Sequence, residues 1–157
     1  MKILLVPIVA LAFFTLYAVS PALAQTNTNP DFRASVQSIG AQTRAEISKA
    51  GDQGANVDRP LRLQADGDQA LRRGELAIAA EDYGRAREAV SVLDRERSLA
   101  IAERSRASLD LDRAQREGDD IAWAAARVSD GNHAFNTGNY VTADMDYAEA
   151  RADLIGG

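Results

Sequence analysis

The chain has no cysteine, one histidine, one tryptophan and four prolines in its 157 residues. The lack of cysteine rules out disulfides, thiol nucleophiles and thiolate-bound metals. The one histidine, His133, has Asn136 and Thr137 where a second metal ligand would sit on a helix, so it makes a poor metal site. No segment alternates β-branched and polar residues as a half-buried strand does. The glycines do not form a phosphate loop or a dinucleotide fingerprint, and none of Ser91, Ser98, Ser105 or Ser108 sits in a Gly-x-Ser-x-Gly turn. Asp66/Asp68, Asp110/Asp112 and Asp119/Asp120 are close in sequence, but adjacent surface acids of this kind serve as caps or solvated faces; Asp119 and Asp120 suit the start of a helix. We therefore expect no catalytic residue, no metal and no cofactor.

Lysine is nearly absent as well, with only Lys2 and Lys49 against a background of arginine, alanine and aspartate, a usage that suggests a GC-rich bacterial genome. One long apolar run stands at the start. Lys2 precedes Ile3 to Val19, which is interrupted only by Pro7 and Thr15, and Ser20-Pro-Ala-Leu-Ala24 follows with small residues at the -3 and -1 positions. This is the layout of a secretory signal peptide cut after Ala24. An uncleaved anchor is the competing reading, since the run is at the lower limit for a span. No cysteine follows the cut to carry a lipid. The expected location is therefore the periplasm or the exterior, with no stable membrane insertion after cleavage. Removal of Lys2 leaves 17 basic residues against 23 acidic ones, a charge of -6 that argues against nucleic acid as a partner.

Residues 25–58 read as a polar N-terminus, a helix and a linker. Asn29 and Pro30 give a helix start, Phe32, Val36, Ile39, Thr43, Ile47 and Ala50 recur on one face, and Gly51 is the expected stop. Residues 59–157 read as one helical domain. Pro60 opens a helix that stops at Gly74. A third helix begins near Glu75, and no glycine or proline lies between Gly84 and Gly118. Leu76, Ala79, Tyr83, Ala86, Val90, Leu93, Ala100, Ala107, Leu111 and Ala114 form a stripe of period 3.5, broken only by Arg97 and Arg104. The pattern favours one helix to about Glu117, with a break in the polar stretch Asp94 to Ser98 as the alternative. Two shorter helices follow, separated by the Asn136-Thr-Gly-Asn139 turn. The fold class expected is all-α: antiparallel helical hairpins around one long central helix.

Residues 65–87 match residues 129–151 at an offset of 64, with nine of 23 positions identical. The identities include Gly67/Gly131, Gly74/Gly138 and Tyr83/Tyr147. Gly67 and Gly131 suit a close crossing of helices, and Gly74 and Gly138 suit the turns. The string from Gly138 to Ala150, Gly-x-Tyr-x2-Ala-x3-Tyr-x2-Ala, resembles the second helix of the tetratricopeptide repeat. The likeness covers two degenerate copies. Aspartate (Asp66, Asp130) stands where a leucine is usual, and Ser91 and Ile155 stand where a proline is usual. No third copy lies between the two. The resemblance implies a module that binds other proteins. The candidate contact surface is a groove lined by Tyr83, Trp123, Phe135, Tyr140 and Tyr147, with other envelope proteins as partners; the alternative is that most of these aromatics are core. Self-association along the long helix, as a structural spacer, is the alternative, and an unnamed enzyme or small-ligand binder the third.

Overall fold

The computed structural model describes residues 30–156; the signal-peptide reading and the Asn29 cap fall outside them. The described residues form five helices and no strand: α1 (Pro30–Asp52), α2 (Asp58–Arg73), α3 (Leu76–Glu117), α4 (Ala122–Asn136) and α5 (Tyr140–Gly156). None is long and apolar enough to cross a membrane.

α3 is continuous over 42 residues, about 63 Å of helix. The polar stretch at Asp94 to Ser98 does not break it, because the buried stripe runs straight through: Leu76, Ala79, Tyr83, Ala86 and Val90 before it, Ala100, Ala107 and Ala114 after it. A seven-residue repeat keeps these positions on one side of a helix for its whole length. α3 packs against all four other helices, whereas α1 and α2 make no helix-to-helix contact with α4 and α5 among the described residues. The helix that the sequence grouped with the polar N-terminus belongs to this core. Val36 of α1 is buried with Ala70 of α2 and Leu76, Ala79 and Tyr83 of α3.

Helix ends differ in detail from the expected ones. Gly51 does not stop α1; it lies inside the helix, and Gly54 takes the left-handed conformation instead, with φ 87°. α2 begins at Asp58, two residues before Pro60. Gly74 and Gly118 close α2 and α3 with φ 79° and 87° and donate their N–H groups to the last free carbonyls.

The 64-residue correspondence extends well beyond residues 65–87 and 129–151. Gly54 and Gly118 share φ 87°. Asn56 Oδ1 accepts from the Asp58 N–H at 3.1 Å, and Asp120 Oδ1 accepts from the Ala122 N–H at 3.1 Å. Val36, Thr43 and Ala50 of α1 are buried, as are Ala100, Ala107 and Ala114 in the second half of α3. Arg87 Nε donates to Glu46 at 3.0 Å, and Arg151 Nε donates to Asp110 at 2.9 Å. Each of these pairs is separated by 64 residues.

Candidate interaction surface

Tyrosine placement decides between core and contact. Tyr83 and Tyr147 have no exposed surface and Tyr140 has 2%. A Cβ on Gly67 would lie 2.6 Å from the Tyr83 ring, and one on Gly131 would lie 2.7 Å from the Tyr147 ring, so each glycine makes the space a tyrosine fills. The phenols are held in parallel fashion: Tyr83 donates to Asp68 at 2.7 Å and Tyr147 to Asn132 at 3.0 Å. Burial, the Asp68 bond and the Asp68 charge together push the Tyr83 phenol up to about 12. Burial also raises Tyr147, against the nearby positive charge of Arg104.

The expected aromatic groove is therefore corrected. Tyr83 lies in the core of α1, α2 and α3, while Tyr140 and Tyr147 lie in a separate core with Ala100, Ala107 and Ala134. A side chain without accessible surface cannot touch a partner. Phe135 is half-buried on that second core, with its ring centroid 5.1 Å from that of Tyr140 and the Arg104 guanidinium 5.8 Å above it. Of the five, only Trp123 is largely open, at 48%. Arg127 lies 5.3 Å over its ring and also meets Asp146 and Glu149.

The arginines that interrupt the α3 stripe are placed by their neighbours. Arg104 covers Phe135, and the half-buried Arg97 leaves its Nε without a hydrogen-bond partner. The nearby acids Glu103 and Asp110 are engaged by Arg151, at 2.8 Å and 2.9 Å, tying α5 to α3. Burial pushes the Glu103 carboxyl up, but the hydrogen bonds and charges of Arg151 and Arg106 outweigh it and hold it below its usual value.

Besides the shallow hollows that Arg59 and Val92 line, two features bear on binding. The first is an open groove of about 460 Å³ between α1 and α3, lined by Glu46, Lys49, Arg87, Glu88 and Asp94 and bordered on the outer side of α3 by the exposed Gly84 and Ser91. Its charged, open walls lack the apolar enclosure of a small-molecule site. The second is the side of α3 that faces away from the core. Val92, Leu99 and Leu109 are exposed there by 41%, 55% and 69%. Arg85, Arg95, Arg106, Arg113 and Arg116 share that side, and Gly84, Ser91, Ser98 and Ser105 run along it at seven-residue intervals, all exposed. A Cβ on Gly84 would meet nothing within 4 Å, so no contact in the monomer requires a glycine there. This second seven-residue pattern is present in the sequence, but its small polar residues carry a weaker signal than the apolar core stripe on the opposite side of the helix.

His133 is exposed, and no group of three or more His, Cys, Asp or Glu residues among the described residues is placed to hold a metal ion. No protein-family model, curated protein or solved structure matches the chain.

Proposed function

We propose that the chain is an exported, non-catalytic helical protein of the cell envelope that acts by binding protein. The observation that carries this reading is the outer side of α3, where exposed Val92, Leu99 and Leu109 alternate with arginines along one helix. Scattered surface leucines need no explanation, but apolar residues on one side of a helix do: Val92 and Leu99 are one heptad apart and Leu109 follows ten residues later, and their water exposure is a cost that a partner helix removes. The layout of a signal peptide in residues 1–24 supports export.

We further read the chain as two copies of a 64-residue, three-helix unit. α3 serves as the third helix of the first copy and the first helix of the second, and each copy contains one helical hairpin, α2 with the start of α3 and α4 with α5. The likeness to tetratricopeptide repeats is then confined to the packing of those hairpins, since the repeating unit is nearly twice as long and has an odd number of helices.

A photoreactive amino acid placed at Leu99 or Leu109 in living cells tests the binding role. Protein adducts should form from both positions and not from Asp153, an exposed site on α5. Equal adducts at all three, or none, would overturn the assignment of the α3 face. Sequencing the N-terminus of the purified protein tests export: Gln25 is the expected first residue, and an intact Met1 would refute it.

A further inference from the structure

The outer side of α3 is complementary to itself in an antiparallel register that uses nearly its whole length, and we propose that a second copy of this chain docks there. The proposal rests on the reading of that side as a protein-binding face and names its occupant.

Consider two α3 helices side by side and antiparallel, with the twofold axis between Ser98 and Leu99. Residue n then faces residue 197 − n of the second copy. Gly84 faces Arg113, Ser91 faces Arg106, Ser98 faces Leu99 and Ser105 faces Val92. Four small residues thus meet four large ones, which lets the helices approach closely while the long side chains fill the space above the small ones. The charges agree with the same register. Glu81 faces Arg116 and Arg85 faces Asp112, and the twofold axis doubles both pairs, giving an isologous contact. On that side Arg95 faces Ala102 and Glu88 faces Leu109, so no like charges oppose each other there. The participating groups are reachable: Glu81 and Arg85, 61% and 60% exposed, pair with each other at 2.7 Å in the monomer and would exchange that bond for the two across the axis, while Arg116 spends only its Nε, on the Asp112 carbonyl at 3.0 Å.

An axis between Ser91 and Val92 also sets small against large and Arg95 against Glu88, but it leaves Asp112, Arg113 and Arg116 with no opposing helix, since α3 starts at Leu76. Shifting the axis to Arg95 sets Arg95 against Arg95, and shifting it to Ala102 leaves Glu81 and Arg85 beyond the end of the opposing helix at Glu117. A parallel pair sets Arg95, Arg106, Arg113 and Arg116 each against itself. The cores lie on the opposite side of each α3, so the two bundles point away from each other.

The absence of cysteine makes single-cysteine spin labelling clean. The protein, purified as the cell processes it, should sediment as a concentration-dependent dimer. Labels at the exposed Ser108 and Gln115 should then read separations of about 29 Å and about 50 Å along the axis, from 1.5 Å per residue on either side of it. Leu99→Arg should weaken the dimer tenfold or more, and Glu81→Arg and Arg116→Glu should each weaken it roughly tenfold. The double variant Glu81→Arg/Arg116→Glu should regain the dimer, with helical circular dichroism unchanged in all. Two short and nearly equal label distances would mean a parallel pair and overturn the proposal, as would failure of the double variant to recover. A monomer at every concentration overturns it too. If such a monomer retains another protein in cells and loses it on Leu99→Arg, the binding face stands with a different occupant. If retained proteins are indifferent to Leu99→Arg, the face itself is refuted.

Discussion

Each tyrosine of the duplicated motif is held by a glycine, and the two are not held equally. Tyr83 sits between two: a Cβ on Gly40 would lie 2.7 Å from its ring and one on Gly67 2.6 Å. Tyr147 meets Gly131, but 64 residues after Gly40 stands Arg104. Gly67 and Gly131 were legible because they recur in the matched segments. Gly40 was not, since its counterpart is an arginine and nothing in its local sequence distinguishes it from a neutral small residue. Gly40→Ala, Gly67→Ala and Gly131→Ala should each lower stability by about 1–2 kcal/mol, as overpacking outweighs the gain in helix propensity; denaturant midpoints measure this, and an unchanged midpoint would show that the ring yields. The Tyr83 phenol supplies a pH test. Its value is about 12 when folded and about 10 in the unfolded chain. The unfolded chain therefore loses its proton first, so this contribution is complete below pH ~10 and declines as pH rises through ~12. Asp68→Asn, which copies the Asn132 partner of Tyr147, removes the charge and should flatten that alkaline decline.

At the scale of the element, the continuity of α3 was readable because the heptad stripe persists across Asp94 to Ser98 even though that stretch is itself polar. Boundaries were harder. Gly51 looked like a terminator, yet Ala55 N–H donates to the Ala50 carbonyl and places the closure at Gly54, a choice made by where the loop must go rather than by composition. The core and outer aromatics could not be separated by sequence either, because a helix that packs on two neighbours buries more than one stripe. Gly84 is the informative anomaly of α3. It is exposed in mid-helix with open space around its missing Cβ, so it forgoes helix propensity with no return inside the monomer. Gly84→Ala should raise monomer stability by about 0.5–1 kcal/mol, seen as a higher thermal midpoint under dilute conditions. The same change should weaken the proposed dimer, in which Gly84 would face Arg113 of the second copy. A variant that gains in both would argue that Gly84 has no packing role.

At the scale of the molecule, two helical groups share α3 and, among the described residues, meet elsewhere through a small contact. The α4–α5 turn rests on the α1–α2 loop: a Cβ on Gly138 would lie 2.6 Å from the Gly54 carbonyl oxygen and 2.7 Å from the Asn56 nitrogen, and the Tyr140 hydroxyl donates to the Gln53 carbonyl at 3.4 Å. This contact was invisible in the sequence, because the matched segments present Gly74 and Gly138 as equivalents. Their φ values are alike at 79° and 74°, so alanine carries the same left-handed strain at either, about 1 kcal/mol. Their surroundings are not alike, since the nearest atom to a Cβ on Gly74 is an Arg33 side-chain nitrogen at 3.7 Å. Comparing Gly74→Ala with Gly138→Ala therefore cancels the backbone term and leaves the contact between the two groups. Gly138→Ala should cost more. It should also loosen the coupling that the shared helix alone supplies, because units that touch only their neighbours unfold together only as strongly as their interface binds them. Native-state hydrogen exchange reads this directly. In Gly74→Ala, amides of α2 and α5 should lose protection by the same amount; in Gly138→Ala, α5 should lose more than α2. Equal loss in both variants would mean that α3 by itself enforces a single cooperative unit and that the turn-on-loop contact adds nothing.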